Sequence, residues 1–263
     1  LTLAETRSDY VSRGGHKLAG ALDAFSGVKV EGTIALDAGA STGGFTDVLL
    51  KRGAKKVIAV DVGYGQLAWE LRQNSRVEIH DRTNVRSLSP EIIKDKVELV
   101  VADLSFISLT LVIPALKSVS TPDANFVIMV KPQFEVGRER LGAGGVVRDP
   151  ELRTSAVKEV AESAFELGLG TVGVVASPLP GPSGNVEYFL WLRAGAERIS
   201  DLMLNEAIRK GLGFSQEYTP GEILMGYDNY RMKKDGSYVI HNSAGYVILE
   251  SEYISSKVLG SNL

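Results

Sequence analysis

Four short apolar runs, each stopped by a charged residue, constrain this chain more than anything else in it. Ile34–Leu36 ends at Asp37, Val57–Val60 at Asp61, Val97–Ala102 at Asp103 and Phe126–Val130 at Lys131. Val77–Ile79 reads as a further strand. Helical spacing separates the runs, over Phe45–Arg52, Gln66–Arg72 and Leu109–Leu116. Strands that alternate with helices imply a mostly parallel sheet covered on both faces. A loop rich in glycine and arginine follows over 132–148, and a long amphipathic helix is predicted over Pro150–Leu167. Strands at Val172–Ala176 and Val186–Leu192 are joined only by the loop Pro178–Gly184, so they are expected to pair antiparallel. The predicted fold is Rossmann-like α/β: seven strands, mostly parallel, with a final antiparallel strand.

The 263 residues suffice for one such domain plus an extension, and 44% hydrophobic with 23% charged residues is the balance of a soluble globular protein. A net charge of −3 excludes a generally polybasic chain, so any nucleic-acid binding must be local. The absence of cysteine excludes disulfides, thiolate metal sites and a cysteine nucleophile, and no metal is expected. No run approaches the roughly 18 apolar residues of a spanning helix, and no basic-then-apolar leader opens the sequence. We therefore expect a cytoplasmic protein with no membrane partner. Residues 212–263 differ in composition, being rich in tyrosine, glycine and serine. They read as an appended unit of unassigned role, with a hairpin over Tyr238–Leu249 turning at Asn242–Gly245.

The turn between the first strand and its helix carries Gly39, Ser41, Gly43, Gly44 and Phe45. Such a turn lets backbone approach a ligand and points helix amides at it. Asp61 ends the second strand about 20 residues on, where an acid accepts hydrogen bonds from ribose hydroxyls. Nicotinamide dinucleotides and S-adenosylmethionine share this geometry. Asp37 favours S-adenosylmethionine, because a carboxylate there suits an amino group and repels pyrophosphate. Asp81, after the third strand, is a candidate for an adenine amino group, with an ordinary loop acid as the competing reading.

Asp103, Lys131 and Glu187 fall at strand ends, Glu187 just inside its strand, and the carboxyl ends of parallel strands open onto the ligand crevice. A lysine directly after a buried strand is a poor choice without a task. Methylating a ribose hydroxyl needs the oxygen held in line with a sulfonium carbon and relieved of its proton. A lysine can take that proton while carboxylates orient it.

These residues carry a family resemblance. VSRGGHKL at 11–18, LDAGASTGGFTD at 36–47, AVDVGYGQL at 59–67 and ADLSFI at 102–107 resemble the TlyA family, as do VKPQFEV at 130–136 and SPLPGPSGNVE at 177–187. That family, often labelled hemolysin A, is related to the FtsJ-type ribose 2′-O-methyltransferases. The resemblance spans roughly Val11 to Gly211. It implies a class I methyltransferase that uses S-adenosyl-L-methionine to methylate cytidine 2′-hydroxyls of ribosomal RNA. It also implies a Lys–Asp–Lys–Glu tetrad, which falls on Lys17, Asp103, Lys131 and Glu187, with Lys131 nearest the 2′-oxygen. Asp103 then also borders the cofactor. The methyltransferase domain is expected over 13–211. Family members carry an S4-type RNA-binding domain ahead of it, so residues 1–12 are expected to be the end of a linker. Thr42 stands where FtsJ-type proteins usually carry proline.

Ribosomal RNA or ribosomal subunits are thus the expected partners. Arg13, Arg72, Arg82, Arg138 and Arg140, with Lys17, are candidates for phosphate contacts, and the loop Gly137–Gly145 for a substrate lid. Three rival readings stand against this one: a membrane-active hemolysin, a non-catalytic RNA- or ribosome-binding module, and an NAD-dependent oxidoreductase. The last leaves the tetrad residues unexplained.

Overall fold

The structure is a computed structural model, and it describes residues 9–212 together with 230–232, 238–241 and 247–251. Helix α1 (Arg13–Ala24) precedes the sheet. The strands are β1 (Ile34–Ala38), β2 (Lys56–Val60), β3 (Val77–His80), β4 (Val97–Ala102), β5 (Ser120–Val130), β6 (Leu169–Ala176) and β7 (Tyr188–Ala194). They lie in the order β3-β2-β1-β4-β5-β7-β6. β1 to β5 pair in parallel, and β7 runs antiparallel between β5 and β6. This is the expected architecture. Leu36, Val100, Val101, Val127 and Ile128 are fully buried, which is why these strands read as continuous apolar runs.

The remaining helices of this part are α2 (Gly44–Lys51), α3 (Trp69–Arg72), α4 (Ile113–Ser118), α5 (Pro132–Glu135), α6 (Pro150–Glu166) and α7 (Asp201–Leu212). Several depart from the expected bounds for identifiable reasons. The pattern over Leu109–Leu116 divides into a 3-10 turn at Leu109–Leu111 and α4. Pro114 has no amide hydrogen and fits only a first turn, so a new helix starts around it. The helix expected over Gln66–Arg72 shrinks to α3, because the Ala68 amide donates to the Thr42 carbonyl at 3.0 Å and Ala68 is non-helical, with ψ 141. β5 begins at Ser120, six residues before its apolar run, with Pro122 and Asp123 exposed on its first part. Glu187, expected inside its strand, stands one residue before β7.

The chain divides into two compact units, 1–212 and 213–263. In the second, β8 (Tyr230–Met232), β9 (Tyr238–His241) and β10 (Val247–Ser251) form an antiparallel sheet in the order β10-β9-β8. β9 and β10 are the expected hairpin; its turn, 242–246, lies outside the described residues, as do residues 1–8 of the expected linker. β8 was not foreseen.

One consequence of the topology decides where chemistry can occur. Because β7 is reversed, its start lies on the same sheet edge as the ends of β1, β4 and β5. Val130 pairs with Tyr188, and Ala38 with Ala102. Lys131, Glu187, Gly39 and Asp103 are therefore each one step beyond a paired residue. Gly39 has φ +85, and a Cβ there would lie 2.5 Å from the Asp103 carbonyl oxygen. Gly39→Ala is expected to cost about 2 kcal/mol or more of unfolding free energy, read by urea titration, since backbone itself must move.

Candidate active site

Four charged side chains meet at this edge as two ion pairs. Lys17 lies on the buried face of α1, and its Nζ donates to Glu187 Oε2 at 2.6 Å, with side chains only 9% and 1% exposed. Gly181 makes room for the other Glu187 oxygen: a Cβ there would sit 2.6 Å from Oε1. Lys131 Nζ is 2.6 Å from Asp103 Oδ1 and donates to Ser105 Oγ at 2.9 Å. The elements that hold these groups are α1, the ends of β4 and β5, and the start of β7. Lys17, buried and paired, is not free for the phosphate contact expected of it.

Lys131 and Glu187 also line one cavity of about 910 Å³, with Ser105, Phe106, Arg86 and Asn185 among its other walls. That size is within the roughly 300–1,000 Å³ of small-ligand pockets. Phe106 has φ +63, is 90% exposed and lies with its ring 5.0 Å from that of Phe134. A non-glycine residue in this backbone region is strained, and such strain collects at functional sites. Sequence reading missed Phe106, since an aromatic beside a strand reads as core; only the family motif flagged its neighbourhood. Glu135 clamps this wall from α5. Its carboxylate accepts from the Ser108 hydroxyl at 2.5 Å and the Leu109 amide at 3.0 Å. Burial pushes that carboxyl above the usual range, against those two bonds.

The turn after β1 lies beside the pairs. Asp37 is fully buried; its Oδ2 accepts from Thr46 Oγ1 at 2.7 Å, and Oδ1 has no partner. Burial pushes its carboxyl up to about 7, the Thr46 hydroxyl opposing and Asp103 and Asp61 adding. Asp61 accepts from the Ser41 amide at 2.8 Å and the Gly63 amide at 2.7 Å, and each carboxylate oxygen keeps a further lone pair. An unpartnered buried carboxylate oxygen and an acid at the end of β2 fit a ligand that carries an amino group and ribose hydroxyls. The glycines of the turn are also required by packing. Cβ atoms on Gly43 and Gly44 would fall 2.3 Å from Leu71 and 2.2 Å from Ser12, so the chain itself fills those spaces. Phe45 is 3% exposed, its ring centroid 6.0 Å from that of Phe189 in the core, which leaves only its backbone facing the turn.

The other candidates scatter. Asp81 Oδ2 accepts from the Gly65 amide at 3.2 Å and Arg72 Nη1 at 3.3 Å, so the expected adenine acid and an expected phosphate arginine pair with each other. Arg140 folds back, its Nε donating to Val136 O at 2.6 Å. Arg13 is exposed at the start of α1, and Arg82 stacks 4.3 Å from the Tyr64 ring centroid with φ +54. The side chain of Arg138 lies outside the described residues.

Two outcomes follow from these contacts. Glu187→Ala leaves the Lys17 ammonium buried without its partner and is expected to cost about 3–5 kcal/mol in urea unfolding. In cofactor-free protein, the Asp37 carboxyl titrates about 7 when folded and near its ordinary value when unfolded. Its contribution is therefore favourable at low pH and lost as pH rises from about 4 through 7, by on the order of 4 kcal/mol. Asp37→Asn should flatten that slope; an unchanged slope in unfolding measured across the window would remove Asp37 as its source.

A family model described as FtsJ-like methyltransferase matches residues 10–194. The 16S/23S rRNA (cytidine-2′-O)-methyltransferase TlyA of Mycobacterium tuberculosis is 58% identical over 211 residues, 80% of this chain and 78% of that protein. Hemolysin A of Brachyspira hyodysenteriae is 42% identical, over 68% of this chain and 75% of its own. A Lactococcus lactis structure that carries a hemolysin label superposes with a TM-score of 0.73 at 38% identity, covering 78% of this chain and 99% of that one. Among the described residues, no helix is long and apolar enough to cross a membrane.

Proposed function

The chain belongs to the FtsJ-like methyltransferase family, in its TlyA branch, and from that premise we propose that it methylates the 2′-hydroxyl of a cytidine in ribosomal RNA. Its cofactor is S-adenosyl-L-methionine. The observation that carries the reading is the Lys131 ammonium held between Asp103 and Ser105 on the wall of a nucleotide-sized cavity. The partner is ribosomal RNA or a ribosomal subunit, the compartment the cytoplasm, and the methyltransferase domain residues 13–211.

Asp37 and Asp61 would hold the cofactor's amino group and ribose hydroxyls, with the first-turn amides of α2 beside them. When bound, S-adenosyl-L-methionine supplies an electrophilic methyl group. Lys131 takes the tetrad position nearest the acceptor: once its ammonium has given a proton to water, Nζ accepts the 2′-hydroxyl proton as the oxygen becomes nucleophilic. The ammonium so formed faces the Asp103 carboxylate at 2.6 Å, which stabilises the new charge where it appears. Lys17 acts behind it, fixing the second carboxylate, Glu187, at the cavity wall. Positioning of two bound reactants supplies much of the rate. Exposed Phe106 offers a stacking face for a base turned out of its helix, and Arg13 and Arg82 remain the candidates for phosphate contacts.

Methyl transfer to ribosomal RNA, with the modified nucleotide located by mass spectrometry, tests the proposal. Lys131→Ala should lose a hundredfold or more of turnover, roughly the worth of a general base, and keep its affinity for cofactor in calorimetry. Asp61→Ala should lose that affinity. Phe106→Ala should weaken RNA binding by about tenfold while sparing the cofactor. Tight cofactor binding by a wild-type protein that transfers no methyl group to ribosomal subunits would leave the non-catalytic binding module as the better reading. Preference for a nicotinamide dinucleotide would favour the oxidoreductase.

A further inference from the structure

One wall of the cavity is a strap of chain between Val136 and Val147, and its attachment is unusual. Its two ends are buried, both 1% exposed, and join Ala156 in a hydrophobic cluster separate from the main core. Between them the strap is glycine-rich. Gly137, Gly144 and Gly145 all have positive φ, and Gly144 and Gly145 face open space. Gly137, Leu141, Gly144 and Gly145 face the cavity. Such a segment has little of its own to hold one conformation.

Two buried side chains fix its far end, and one of them reaches both the strap and the cavity. Asn185 is 2% exposed; its Oδ1 accepts from the Val147 amide at 2.9 Å and its Nδ2 donates to the Gly145 carbonyl at 3.0 Å. Arg153, fully buried on α6, donates from Nε to the Val147 carbonyl at 2.8 Å. Asn185 also lines the cavity and stands two residues before Glu187. Its own carbonyl accepts from the Gly181 amide at 2.8 Å, which closes the turn whose missing side chain makes room for Glu187. One residue thus fixes both the strap and the loop that seats Glu187.

We propose that Asn185 is a positioning residue for the RNA acceptor, acting through the strap: by pinning Gly145 and Val147 it sets the distance between the cavity's glycine-rich wall and the Lys17–Glu187 pair. The proposal rests on the methyltransferase reading above. An acceptor ribose can be held against Lys131 only if the opposite wall stays in place. Two neutral hydrogen bonds lost from this strap correspond to about a tenfold change in an equilibrium. The cofactor turn lies outside these contacts and is left unaffected.

The experiment compares wild type and Asn185→Ala in the full chain, by amide hydrogen exchange, calorimetry with S-adenosyl-L-methionine, and steady-state methylation of ribosomal subunits. The expected result is exchange about tenfold faster across 137–147 with the central strands unchanged, cofactor affinity unchanged, and the KM for the subunits raised about tenfold with kcat altered less. Faster exchange with an unchanged KM would overturn the proposal, as would a loss of cofactor affinity that tracks a fall in global stability, the mark of a merely structural residue. Should Asn185→Ala fail to fold, Asn185→Ser keeps one hydroxyl at the site and cannot bridge Val147 and Gly145 together. It is then expected to show a smaller rise in KM in the same direction, and no rise would count against the proposal. If wild type binds cofactor but methylates no RNA, the methyltransferase reading fails. Exchange across 137–147 then decides whether Asn185 pins the strap, and an unchanged rate would sink that too.

Discussion

Lys17 and Glu187 are 170 residues apart in sequence and 2.6 Å apart in space, in surroundings that exclude most water. Burying two charges costs several kcal/mol for each ion, and their mutual attraction offsets that only when the geometry is good. A hydrophobic pair of the same volume would hold α1 to the sheet as well or better. The ion pair is therefore weak as a device for stability and informative as a constraint. It requires the helix before β1 and the start of the last strand to arrive at one point. That in turn requires β7 to be inserted next to β5 and to run against it. The reversed strand is what brings a carboxylate from the end of the domain to the edge where β4 and β5 deliver Asp103 and Lys131.

The fold was legible because fully buried parallel strands announce themselves as unbroken apolar runs, and each run here ends in a charge. Leu36 followed by Asp37, and Val130 followed by Lys131, mark both the strand and the edge at which it stops. Antiparallel pairing of the last two strands followed from the loop between them being too short for a crossover helix. Element bounds were less legible at Pro114, which starts a new helix, and in Ser120–Asn125, where a register shift and side-chain bonds from Ser120 to the Leu116 carbonyl and from Trp191 to Asn125 extend the strand.

The site was legible in part, and its two halves differ in kind. Asp103, Lys131 and Glu187 could be read from strand ends because position on a parallel sheet dictates exposure to the crevice. Lys17 could not, since a lysine on an amphipathic helix reads as a solvated face; only the family motif singled it out, and its burial is a product of tertiary packing. The contacts of the surface arginines were not legible, for the opposite reason. Arg72 and Arg140 look free in sequence, yet Asp81 and the Val136 carbonyl take them up. A guanidinium has five donors and many possible partners, so its destination is the least local property of the chain.

Strain at the crevice edge points the same way. Among the described residues, the non-glycine positions with positive φ are Ser41, Arg82 and Phe106, and they follow β1, β3 and β4 on the ligand side of the sheet. Each is held by something specific: Ser41 by its amide to Asp61, Arg82 by its stack on Tyr64, Phe106 by its contact with Phe134. The glycines of the turn behave alike, for Gly39, Gly43 and Gly44 are packed by Asp103, Leu71 and Ser12, with no space left vacant beside them. The crevice is thus set by the protein's own contacts before any ligand arrives. A rigid cofactor side then faces a glycine-rich acceptor wall that Asn185 and Arg153 pin at one end. That asymmetry suits an enzyme whose small ligand is always the same and whose large one must be threaded in and released.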